Sequence, residues 1–262
     1  MNSFRYIKLA AIFAAASISA QLEYRLNFVI NAMSSLLTAG SALFGLRVLA
    51  GEGTVVGGWS YREAMIVVGL FTLVQGFIGT LLYPNLNKIA EAVRLGTMDF
   101  HLLKPIDAQF LVSTRNINIF HVVDICVGAG VTIWALRGLE TSPSSLLTGG
   151  LLIIAALAIV YAIWFGLSTT AFWFVRVENI TELFNGLFRA GQFPVSVFPG
   201  WVRLFFTFVV PVAFITTVPA EALLGRLTPR NGVVALGVAL ALLLAARAFW
   251  RRAIRSYTSA SS

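Results

Sequence analysis

Pro84-Asn85-Leu86-Asn87-Lys88-Ile89-Ala90-Glu91-Ala92-Val93-Arg94-Leu95-Gly96, followed by Thr97-Met98-Asp99-Phe100-His101-Leu102-Leu103-Lys104-Pro105, is a polar island between two long apolar runs. Leu86, Ile89, Ala90 and Val93 fall at i, i+3, i+4 and i+7. This spacing predicts an amphipathic helix with Asn87, Lys88, Glu91 and Arg94 outward and Gly96 as its stop. A folded helix in a loop between apolar runs needs a surface to dock on. The alternative is a solvated connector whose periodicity is accidental.

What flanks the island sets the class. Of the 262 residues, 58% are hydrophobic and 11% are charged, against about 25% charged in an average soluble domain. The composition is that of an all-α integral membrane protein. The net charge of +8 would suggest nucleic acid in a soluble chain. Here the arginines lie at the ends of apolar runs and at the C-terminus, so they report orientation and lipid contact, with no nucleic acid partner expected.

Several chemistries are excluded by what is missing. The single cysteine, Cys126, allows no intramolecular disulfide. Two histidines without clustered carboxylates make a zinc site a poor expectation, so no metal ligands are assigned. None of the three lysines follows a glycine in a phosphate-binding loop, and no Gly-x-Ser-x-Gly or His-Glu-x-x-His stretch occurs. No catalytic residues are expected, no cofactor in this chain, and any energy input must come from elsewhere.

A membrane-crossing helix needs about 20 mostly apolar residues. Six segments meet or approach this: Phe28 to Leu49, Ala64 to Tyr83, Ile117 to Leu136, Leu146 to Val175, Ile180 to Val197 and Val233 to Phe249. A seventh run, Trp201 to Val218, raises the question of parity, and charge answers it. With the N-terminus inside, Arg5, Lys8, Arg25, Lys88, Arg94, Lys104, Arg115, Arg176, Arg247, Arg251, Arg252 and Arg255 are cytoplasmic. Arg47, Arg62, Arg137, Arg226 and Arg230 are then outside, and Arg189 and Arg203 unassigned. That partition obeys the positive-inside bias, and it holds only if one of the two runs 180–197 and 201–218 spans. Pro194, Pro199, Pro211 and Pro219 punctuate the region. The expectation is a re-entrant outer segment over 199–225; the alternative is a kinked true span there, with 180–197 lying flat at the inner surface.

The N-terminal stretch, Arg5 and Lys8 followed by Leu9 to Ile18, has the look of a secretory signal. With Gln21, Glu23, Tyr24 and Arg25 at its end, it reads better as an interfacial helix over 1–27, closed by Glu23 and Arg25. No soluble domain and no internal repeat is visible, so 1–262 reads as one membrane unit. The lack of a repeat argues against an inverted-repeat carrier.

Interfacial helix, two spans, an ordered loop, four more membrane segments and a proline-broken excursion before the last: this order resembles the permease subunits of type-2 ATP-binding-cassette (ABC-2) exporters, over nearly the whole chain. Leu22-Glu23-Tyr24-Arg25, the pattern Gly-x-x-Asp-x-x-Leu-Leu-x-Pro from Gly96 to Pro105, and the pairs Phe193-Pro194 and Phe198-Pro199 are similar to the type-2 permease family labelled domain of unknown function 990. The resemblance implies that loop 84–105 carries a coupling helix seated on a separate ATPase subunit, with Glu91, Arg94, Gly96, Asp99 and Leu103 at the interface. It further implies ATP and Mg on that partner, a second permease as homo- or heterodimer, and a prokaryotic plasma (inner) membrane location with both termini cytoplasmic. Glu91 and Arg94, at i and i+3, can equally pair with each other on a wet surface.

His121 and Asp124 also stand at i, i+3, on one face within the third span. Asp124 against lipid would be costly, so it should face the bundle, either on a translocation path or in a structural hydrogen bond. The expected function is a permease subunit of an ATP-driven exporter. A gradient-driven secondary transporter or channel is the alternative, and it would need more paired polar residues at the midplane than this pair supplies.

Overall fold

The computed structural model describes residues 3–50, 57–174 and 178–257. Val175 and Arg176, expected near the end of the fourth span, lie outside the described residues. The described chain is helical. Five helical runs are long and apolar enough to cross a membrane: Leu26–Val48, Tyr61–Arg94, Ile119–Leu136, Pro143–Phe172 and Pro229–Ser256.

Helix α1 (Ser3–Gln21) precedes α2 (Arg25–Ala50), and α3 (Tyr61–Phe77) starts from a capping box between Ser60 and Glu63. A π turn over Ile78–Leu82 joins α3 to α4 (Tyr83–Arg94). Short helices α5 (Asp99–Leu102) and α6 (Ala108–Thr114) lead to α7 (Val122–Leu136) and α8 (Pro143–Thr169). After α9 (Glu178–Phe188) come α10 (Gly200–Leu204), α11 (Val218–Leu223) and α12 (Pro229–Ser256).

The island helix is therefore no separate element. It prolongs the second span into one run of 34 residues, about 50 Å at 1.5 Å per residue against ~30 Å of hydrocarbon. Pro84 survives inside that run because the carbonyl it cannot serve, that of Thr80, accepts the Asn118 N–H at 2.9 Å.

Helices α3 and α7 pack closely through small residues. A Cβ on Gly128 would lie 2.3 Å from the Leu73 nitrogen, and one on Gly76 2.5 Å from that of Ile125. Lipid offers no hydrophobic drive to associate, so such backbone proximity supplies the packing. The second layer is α8 against α12 and α11. There Trp164, Phe165, Phe188 and Trp250 are fully buried, with Trp164 and Phe188 ring centroids 5.4 Å apart. By contrast α2 exposes Leu26, Phe28, Val29, Met33, Leu36, Leu37 and Phe44, as expected of a helix that faces lipid or another subunit.

The segment 180–197 is not one helix. It is α-helical to Phe188, 3-10 over Arg189–Gln192, and extended at Phe193, which precedes Pro194. It still runs from end to end of the bundle. Asn185 bonds Tyr83 Oη at the α4 end, Gly191 sits against Phe71, and Ser196 accepts the Trp59 indole N–H at 3.0 Å beside the α3 N-terminus.

Helices α10 and α11, with π turns over Phe205–Val209 and Ala213–Thr217, form a hairpin bent by 75°. Both its ends lie at the α3 N-terminal end of the bundle: Arg203 donates to the Ser196 carbonyl at 2.6 Å, and Arg226 pairs with Glu63. Its tip, the Val210-Pro211-Val212 break, reaches Gly191 and thereby the level of Phe71. Ten residues down α3 is about 15 Å, half the hydrocarbon thickness. The Val195 N–H donates to Thr217 Oγ1 at 3.1 Å, joining the hairpin to the broken segment.

Candidate functional site

The end of the bundle opposite the hairpin is organised by α4. Its inner face buries Asn85, Leu86, Ile89 and Ala92, while Asn87, Lys88, Glu91 and Arg94 are exposed. Leu86 and Ile89 thus point inward as their periodicity predicts; Ala90 and Val93 are half-buried at the edge of that face.

Gly96 ends the helix with φ +70°, the left-handed conformation that an added side chain penalises. Its N–H reaches the Val93 carbonyl at 3.3 Å, and the Met98 N–H reaches that of Ala92 at 3.1 Å. Met98 is fully buried beneath the turn and anchors it. Above it stand Leu95, Phe100 and Leu103, with 60%, 68% and 81% of their surface exposed. Three large apolar side chains on one capped tip form a surface that water does not favour.

Of the five residues expected at a docking interface, Glu91, Arg94 and Leu103 are exposed and Gly96 sets the turn. Asp99 is half-buried and near Tyr257, just past the end of α12. Burial pushes the Tyr257 phenol above its ordinary range, and the Asp99 charge adds to the effect. No ion pair joins Glu91 to Arg94 among the described residues.

The tip is tied to the membrane helices by a polar cluster that sequence reasoning missed. Asp107 caps α6, accepting the Phe110 N–H at 3.0 Å. The same carboxylate is gripped by both terminal nitrogens of Arg247 on α12, one of them at 3.1 Å. Arg247 also donates to Gln109 Oε1 at 2.7 Å, and Gln109 Nε2 donates to Tyr161 Oη of α8 at 3.1 Å. Ser113 and Tyr161 are 3.0 Å apart. Burial alone would raise the Asp107 carboxyl, but the Arg247 and backbone hydrogen bonds outweigh it and hold it below the usual range.

A second fastening is Asn85. Its amide donates to the Asn116 carbonyl at 2.6 Å and its carbonyl accepts the Asn116 N–H at 2.8 Å, which pins the return of the loop to α4. Helix α1 lies along this return segment. Gln21 donates to the Ile117 carbonyl and accepts the Ile119 N–H at 3.0 Å, Ser17 accepts the Ile117 N–H at 3.2 Å, and the Tyr6 and Phe110 rings meet edge to face. The expected end residue Glu23 is exposed in the turn after α1, and the Arg25 side chain lies outside the described residues. Gln21 makes the contacts.

His121 and Asp124 do meet, Nδ1 to Oδ2 at 2.8 Å, in the first turn of α7. A Cβ on Gly79 would lie 2.4 Å from the His121 ring, and one on Gly76 would lie 2.9 Å from Asp124 Cβ. Asp124 therefore faces α3, and the pair sits near the loop end of the bundle, well away from mid-depth. No group of three metal-binding side chains occurs among the described residues.

An ABC-2 family transporter protein model matches residues 36–261. The chain belongs to that family. Neither the comparison with curated proteins nor that with solved structures found a match. Within the ABC-2 family this chain is the multi-pass membrane permease, whose usual partners are ATPase subunits. The capped tip, clamped to α8 and α12, lies outside the candidate spans and exposes Leu95, Phe100 and Leu103.

Proposed function

We propose that this permease is the membrane subunit of an ATP-driven ABC exporter, energised through the tip between Leu95 and Pro105 by a separate ATPase subunit and working beside a second permease. One observation carries the reading: an exposed apolar trio, Leu95, Phe100 and Leu103, stands on the capped turn that ends a helix continuous with a membrane span. A rigid run of helix transmits displacement from a docked subunit to the bilayer interior, whereas a flexible connector dissipates it. The Asp107–Arg247 clamp carries the same displacement to α12.

The basic residues favour a cytoplasmic tip, since Lys88, Arg94, Lys104 and Arg115 gather at this end with the C-terminal arginines of α12. In that orientation the α10–α11 hairpin enters the outer leaflet and returns, leaving six crossings and both ends of the chain inside. Trp201, 77% exposed at the start of the hairpin, suits the outer interface. The His121–Asp124 pair, near one end of the bundle, gives a gradient-driven carrier no midplane site.

The test is purification of the permease from its native host. A nucleotide-binding subunit should co-purify, and ATP hydrolysis should require it. Stoichiometric hydrolysis by the homogeneous permease alone would refute the reading.

A further inference from the structure

We propose that the cavity between α4, α5 and α6 is a binding site for a phosphate group, supplied by an anionic lipid headgroup or by free phosphate. The cavity has a volume of about 210 Å³ and is open to the loop surface. Its walls carry Lys88 from α4, His101 from α5, and Arg115 and Asn116 from the end of α6; no carboxylate lines it. Ile89 and Val112 form an apolar floor, and Lys88 and Arg115 stand at the exposed rim.

The donors are uncommitted. His101 Nδ1 is buried with no hydrogen-bond partner. Arg115 makes no ion pair among the described residues. Lys88 Nζ has one contact, to Asn116 Oδ1 at 3.4 Å, which leaves most of its donor capacity free. Asn85, by contrast, is committed to Asn116 and to the Leu81 carbonyl, so it fixes the wall without competing for an occupant.

Like charges gathered without a counter-ion repel. The His101 imidazole registers this: burial first, then Arg115 and Lys104, hold it below its ordinary range. An oxyanion would relieve the repulsion and accept from several directions at once, which suits a tetrahedral group with three or four oxygens better than a planar carboxylate. The cavity also lies beside the Asn116–Ile119 return on which α1 rests. In the proposed orientation this is the cytoplasmic side of the bilayer, which carries the anionic headgroups.

The test uses the full-length permease and measures binding, so it does not depend on finding the ATPase. In nanodiscs of purely zwitterionic lipid, inorganic phosphate at constant ionic strength should raise the unfolding temperature relative to chloride if the free ion is the occupant. If the lipid is the occupant, discs doped with phosphatidic acid should do so instead. Either response should weaken by roughly tenfold in affinity for Lys88→Ala/Arg115→Ala. Both side chains are exposed at the cavity rim, so the variant should fold. Imidazole nitrogen shifts give a second readout, with His101 moving on binding and His121, the only other histidine, unmoved. Stabilisation by neither source, or stabilisation undiminished in the double variant with His101 unmoved, would overturn the assignment.

Discussion

Replacing Arg247 with Ala removes the link between the loop and the last membrane helix. It takes away both hydrogen bonds to Asp107 and the one to Gln109, leaving Asp107 with its cap to Phe110 but no counter-charge. Exposed ion pairs contribute about 0.2–1 kcal/mol, and breaking a fully buried pair costs about 3–5 kcal/mol. Here the side chains are 35% and 28% exposed. A bidentate pair under that partial screening should contribute about 1–2 kcal/mol, or roughly 5- to 30-fold in the population of the clamped loop. Hydrogen exchange should report it directly: amides of the loop between Gly96 and Phe110 should lose protection by that factor, while those of α3 and α7 should not change. Asp107→Ala should have a larger effect, since it also removes the cap to Phe110, and the double variant little more than Asp107→Ala alone, because the two residues act on one another. Arg247→Lys, which cannot grip both carboxylate oxygens, should fall between. Unchanged exchange in the loop, or fully additive effects of the two alanine variants, would refute the clamp.

Three further outcomes follow from the geometry. Gly96→Val places a β-branched side chain at φ +70°; at about 1–2 kcal/mol it should lower ATP turnover by the reconstituted complex while membrane insertion survives, and normal turnover would show that the cap does not matter. Gly128→Leu drives a side chain into the Leu73 backbone and should cost about 1–3 kcal/mol or more, read as loss of monodisperse protein in detergent. The third concerns pH. Asp107 has a lowered folded-state pKa, so its contribution is complete above the ordinary carboxylate range and lost as pH falls through the lower folded value. Thermal stability from this source should hold from pH 7 to about 5 and decline only below about 4, a decline that Asp107→Asn should lack.

The island was legible because its period and its glycine are local facts. Leu86 and Ile89 face inward and Gly96 caps, as spacing alone predicts. The helix breaks at Phe193 and Val210 were legible for the same reason, since Pro194 and Pro211 each force extended backbone on the residue before them. That the island helix prolongs the second span was not visible, because it depends on the Asn118 N–H serving a carbonyl 38 residues earlier in the chain. The clamp was hidden for a stronger reason: Asp107 and Arg247 are 140 residues apart, and each alone reads as an ordinary loop or terminal charge. Phe100 could have been found, since an aromatic residue in a polar island is itself a signal. The nearness of Asp99 to Tyr257 was hidden in the same way as the clamp, because the two are far apart in the chain.

The central claim is that a separate ATPase seats on the tip between Leu95 and Leu103. With the permease held in its complex, a photo-crosslinking residue placed in turn at Leu95, Phe100 and Leu103 should form adducts with the nucleotide-binding subunit, and one at Glu140, in the exposed turn after α7 at the opposite end, should form none. Adducts from Glu140 with none from the three tip positions would contradict the account.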